Sequence, residues 1–124
     1  MARKEPVLQW LNEPEIHDYP AAKSYLSLLF VEAKADALVK KLKRSPVVEF
    51  KAKDIFRAAA LPLLGLDNSH VAKDRRKLDA GEKVSPLLLV RDSSRSKVII
   101  ADGYHRLCAV YSLAEDAMIR CKIV

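Results

Sequence analysis

The chain has 124 residues, half of them hydrophobic and 31% charged, with a formal net charge of +6. That is enough apolar mass for one core and too little chain for two independent domains, and the balance excludes a disordered polymer. The excess positive charge favours anionic partners such as nucleic acid, nucleotides or acidic lipid, and it is spread over both halves, with no basic tail.

The first residues, Met1-Ala2-Arg3-Lys4-Glu5-Pro6, are followed by no apolar run of signal-peptide length, and no stretch approaches the ~20 apolar residues that span a bilayer. A soluble, cytoplasmic protein is expected. Trp10 reads as a packing anchor.

Asp18 or Tyr19 precedes Pro20, a residue suited to a first helical position because its missing N–H would be unpaired there. Ala22, Tyr25, Leu26, Leu29 and Phe30 then recur at helical spacing, and Ala35, Leu38, Val39 and Leu42 continue it. The spacing predicts helix over 20–44, as one helix or as two broken near Phe30. Lys40, Lys41, Lys43 and Arg44 crowd its end, where cations suit the helix dipole, and Pro46 stops it. Residues 1–46 are expected to form a helical layer on a domain spanning 47–124.

Val48, Phe50 and Ala52 alternate with polar residues, the pattern of a half-buried strand. Asp54 to Ala60 predicts a short helix capped by Asp54. An apolar connector, Leu61-Pro62-Leu63-Leu64-Gly65-Leu66, leads to a cap-like cluster, Asp67-Asn68-Ser69. A polar, basic helix follows from His70 to Asp79, closed by Gly81.

Leu87-Leu88-Leu89-Val90 reads as a strand buried on both faces, entered at Pro86. Arg91 to Lys97 is a polar turn, and Val98-Ile99-Ile100 is a β-branched strand. Gly103 turns the chain into a helix from His105 to Leu113, and Met118 to Val124 forms a last strand. Cys108 and Cys121 belong to no CxxC pair and read as buried structural thiols, and the three histidines lie far apart in sequence, so no metal site is named.

The stretch Asp102-Gly103-Tyr104-His105-Arg106 follows a buried strand and opens a helix. The first N–H groups of a helix have no internal partner and, with the dipole, attract an anion. Gly103 permits close approach of a ligand, Arg106 offers a fork of donors for phosphate or carboxylate, and His105 can donate, accept or titrate. Equally, Asp102 would cap the helix and leave His105 and Arg106 exposed. Asn68, Ser69, His70 and Lys73 gather at the start of the earlier helix, as a second jaw of an anion site or as an ordinary capped end.

A strand, then Asp102-Gly103-Tyr104-His105-Arg106-Leu107-Cys108-Ala109, then a final strand, with Ser85-Pro86-Leu87-Leu88-Leu89-Val90 ahead of it, resembles the ParB/sulfiredoxin superfamily over roughly Val47 to Val124. The resemblance implies an α+β domain with a small mixed sheet and a nucleotide-phosphate site where the helix opening at Tyr104 meets the helix near Ser69 to Lys73. Gly103, His105 and Arg106 match the sulfiredoxin turn, but its catalytic cysteine position is Tyr104, which argues against sulfinic-acid reduction. ParB proteins bind CTP and read DNA with a downstream helix-turn-helix, and this sequence ends at Val124 without one.

The resulting expectation is a nucleotide- or phosphate-binding protein, with a small-molecule phosphotransferase or a nucleotidase as its enzymatic form. The ligand would be ATP, ADP or CTP with Mg²⁺. Gly103, Tyr104, His105, Arg106, Asn68, Ser69, His70 and Lys73 would bind it, and Asp102 or Asp67 would serve as base or Mg²⁺ ligand. The alternatives are a nucleic-acid-binding or nuclease-like module using Lys73, Arg75, Arg76 and Lys77, and a non-catalytic interaction protein whose first helices hold a partner.

Overall fold

The computed structural model describes residues 8–124; the reading of Met1 to Pro6 lies outside them. Among the described residues the order is α1 (Asp18–Leu29), α2 (Glu32–Arg44), β1 (Val48–Lys51), α3 (Ala52–Ala59), α4 (Ser69–Asp79), β2 (Leu87–Asp92), β3 (Lys97–Asp102), α5 (Tyr104–Leu113) and β4 (Met118–Ile123). The fold is α+β, with one four-stranded mixed sheet in the order β1-β4-β2-β3. β2 runs parallel to β4 and antiparallel to β3, and β1 runs antiparallel to β4. No described helix is long and apolar enough to cross a membrane.

The alternation of β2 divides the core in two. Leu87 and Leu89 face one side, where Ile55, Val71, Leu107 and Val110 of α3, α4 and α5 meet them. Leu88 and Val90 face the other, against Ala22, Leu26, Ala35, Val39 and Leu42 of α1 and α2. Both faces of the strand are thus covered, and this explains its unbroken apolar run. Each of these fully buried leucines contributes about 1.5–3 kcal/mol by leaving water. Trp10 packs partly buried against the first cluster and its backbone bridges to Val84.

Several boundaries differ from the expected ones. The long helical stretch is two helices, because Phe30 and Val31 are extended and Val31 starts α2 afresh. α1 begins at Asp18, so Pro20 is its third residue; its N–H would lack an internal partner there too. Ala52 belongs to α3, its N–H bonded to Ala117 O, and Asp54 sits in the first turn of that helix without capping it. Phe50 lies on the edge strand β1 and stays exposed. Lys97 and Asp92 pair, so β2 and β3 run further and the turn between them shrinks to Ser93–Ser96. α5 starts one residue early, at Tyr104.

Two long-range polar contacts tie α1 and α2 to the rest of the fold. Lys122 on β4 is buried on the α1–α2 side, where its ammonium donates to Lys43 O at 3.0 Å and pairs with Glu13 at 2.9 Å. It thereby satisfies one of the orphan carbonyls at the end of α2. The second contact joins Asp18 to Arg106, at the head of α5.

Candidate functional site

β3 delivers the chain to α5 through an irregularity. Leu89 pairs with Ile100, but Leu88 pairs with Asp102, leaving Ala101 as an extra residue. Such a bulge re-aims the side chains that follow it. It sets Asp102 opposite Leu88, a residue facing the α1 side. Gly103 then takes φ +108° and is the N-cap of α5.

Asp102 does not cap α5, as the sequence allowed. Its Oδ2 accepts from Arg106 Nη2 at 2.9 Å, and the other guanidinium nitrogen, Nη1, lies 4.0 Å from Asp18 Oδ1. Arg106 Nε is buried and has no hydrogen-bond partner among the described residues. Burial pushes the Asp102 carboxyl above the usual carboxylate range. The Arg106 guanidinium pulls it back, and the Asp18 carboxylate raises it further. Arg106 is therefore not an exposed free fork; it is folded inward between two carboxylates.

Among the described residues no side chain caps α5, and the first internal bond runs from Leu107 N to Gly103 O. Among the described residues no group accepts from the N–H of Tyr104, His105 or Arg106. The opposite holds for α4, where Asn68 Oδ1 accepts from the N–H groups of His70 and Val71 at 3.0 and 3.2 Å. Asn68 is thus a cap, and only one of the two helix ends has its donors open.

The two jaws do meet. The rings of His70 and His105 lie 4.9 Å apart at 40°, and Tyr104 stacks on His105 at 5.7 Å. Arg75 Nη1 of α4 donates to Ser112 Oγ of α5 at 3.0 Å, holding the two helices together further along their length. The Tyr104 hydroxyl donates to Pro62 O and so ties the 61–66 connector to the head of α5. Ser69, His70 and Lys73 are exposed on α4. Asp67 is exposed in the turn before it, and among the described residues no hydrogen bond or ion pair joins it to Asp102.

Neither thiol is placed for chemistry. Cys108 and Cys121 are fully buried; burial raises both, and Cys121 is pushed up to about 12. A nucleophilic cysteine needs the opposite, a polar setting that favours thiolate.

Sequence reasoning did not find Asp18 as a partner of this turn. It is 84 positions from Asp102, and nothing local signals the contact; only its burial beside a helix start distinguishes it. No family model, no curated protein and no solved structure matches the chain.

Proposed function

We propose that this chain binds a phosphorylated small molecule, with nucleotides as the first class to test, between the heads of α5 and α4. The observation that carries the reading is the set of open N–H groups at Tyr104, His105 and Arg106, with His70 and His105 in ring contact beside them. Three aligned amides at the positive end of a helix form an anion cradle, and imidazoles at its rim supply further donors. Ser69 and Lys73 extend the same rim along α4. Gly103, at φ +108°, lets the chain turn sharply enough to present these amides at the head of α5. The likeness of Gly103, His105 and Arg106 to the ParB/sulfiredoxin turn supports the same reading. A ParB/sulfiredoxin-like form of the α+β fold belongs to the proposal.

Within it, Arg106 changes role. Its charge is already engaged by Asp102 and Asp18, so it positions the turn, and the amides and histidines do the binding. Asp102 remains the base candidate if a transfer reaction follows, since burial raises its carboxyl and it sits in the turn that opens α5.

The test is calorimetric titration of the whole chain with inorganic phosphate, ATP, ADP and CTP, each with and without Mg²⁺. Binding at low millimolar concentration or tighter is expected for at least one nucleotide. His105→Ala and His70→Ala should each weaken it by about tenfold, the loss of one charge-assisted hydrogen bond. Absence of binding for every ligand, or binding indifferent to both histidines, overturns the reading.

A further inference from the structure

The turn that opens α1, whose Asp18 lies 4.0 Å from Arg106, gathers three potential metal ligands. Glu15, His17 and Asp18 each present one ligand atom, and these atoms all lie within 4.8 Å of one another. His17 Nε2 is 2.9 Å from Glu15 Oε2 and 3.5 Å from Asp18 Oδ1. We propose that Glu15, His17 and Asp18 form a binding site for a divalent first-row transition metal of the zinc type.

Three features support this beyond the residue types. First, the spacing fits. Ligand atoms about 2.0–2.1 Å from a tetrahedral ion stand about 3.3 Å from one another, between the two separations seen here. Second, the turn is rigid. Asp18 N donates to Glu15 O at 3.0 Å, and Glu15 N donates to Asp18 Oδ2 at 2.9 Å. The carboxylate of Asp18 is buried and held, and its other oxygen, Oδ1, is the one turned toward His17. His17 is the N-cap residue of α1, yet its side chain makes no cap bond; its Nε2 is turned to the Glu15 and Asp18 carboxylates instead. Third, the charge is unbalanced. Asp18 and Asp102 share one guanidinium, Arg106, which sits closer to Asp102 than to Asp18, and Glu15 adds a further carboxylate in the turn that holds Asp18. A divalent ion would cancel the remainder.

One imidazole and two carboxylates select a borderline ion over Mg²⁺ or Ca²⁺, which prefer all-oxygen shells. Three protein ligands leave the rest of the shell to water, as in exchangeable rather than structural sites. The three histidines are far apart in sequence and give no paired-histidine signal; this cluster uses a single histidine and two acids in four residues.

The inference does not rest on anion binding, and its test contains no phosphate. The whole chain is titrated with Zn²⁺, Co²⁺ and Mg²⁺ in phosphate-free buffer, with heat and the visible absorption of bound Co²⁺ as readouts. One Zn²⁺ or Co²⁺ per chain is expected, at least about tenfold tighter than Mg²⁺. His17→Ala and Glu15→Gln replace exposed side chains, and each should weaken binding about tenfold or more, with His70→Ala neutral. On the unaltered chain, Co²⁺ should broaden the NMR signals around residues 15–18. No binding, binding indifferent to His17 and Glu15, or broadening centred on His70 and His105 overturns the proposal.

Discussion

Arg106 donates from Nη2 to Asp102 Oδ2 at 2.9 Å, back across the Gly103 turn that separates β3 from α5. An i,i+4 pair on an exposed helix is worth a few tenths of a kcal/mol. This one is different, because both side chains are only 18% exposed and a second carboxylate, Asp18, lies 4.0 Å from the same guanidinium. The pair closes the turn and joins α1 to α5.

Arg106→Ala should therefore act chiefly on stability. It leaves Asp102 and Asp18 facing each other without a cation. Removing one partner of a buried pair costs 3–5 kcal/mol; the residual exposure here lowers that to about 2 kcal/mol. Urea unfolding of the variant should show this loss with an unchanged slope. A loss below about 0.5 kcal/mol, as for a surface substitution, would mean the guanidinium carries no structural load.

Much of the frame behind this pair was legible in the sequence. The run Leu87 to Val90 could be buried on both faces only between two helical layers, and α4 was placed to within one residue because Asn68 is a strong cap. The break at Phe30 was not decided, since the apolar spacing runs through it and only the extended backbone at Val31 ends one helix and starts the next. Nor did spacing show that Asp102 would turn from capping α5 to holding Arg106. That follows from the bulge at Ala101, from Asp18 arriving from α1, and from the fold of a guanidinium too long to stay local. Local periodicity reads elements well; ion pairs between distant segments leave no periodic trace.

The raised carboxyl of Asp102 gives a pH signature. Its value in the folded chain lies above the ordinary 3.8, with burial as the main cause. The folded state then holds the proton more tightly than the unfolded state, so this group stabilises the fold most at low pH. Its contribution is lost as pH rises from about 3.8 through the folded value. Asp102→Asn removes that dependence. Urea midpoints of both proteins, measured from acid to neutral pH, should show the variant gaining on the parent as pH rises. A constant difference, or a parent that gains on the variant, would contradict the assigned direction.

Gly103→Ala tests the geometry of the turn itself. At φ +108° an L side chain is strained whatever the space around it. Space is also lacking, because a Cβ here would lie 2.7 Å from Leu87 Cγ and 2.8 Å from Arg106 Nη2. Leu87 is fully buried in the core, so it cannot retreat; Arg106 could, but only by loosening its hold on Asp102. Left-handed strain of about 1–2 kcal/mol and overpacking of about 1–3 kcal/mol sum to roughly 2–5 kcal/mol of lost stability. Thermal and urea unfolding should both report it. The same substitution should disturb the open amides at Tyr104 and His105, so any phosphate ligand should bind more weakly in the part of the population that stays folded. An alanine variant as stable as the parent would show that the turn relaxes freely, and that neither the left-handed backbone nor the Leu87 contact fixes the head of α5.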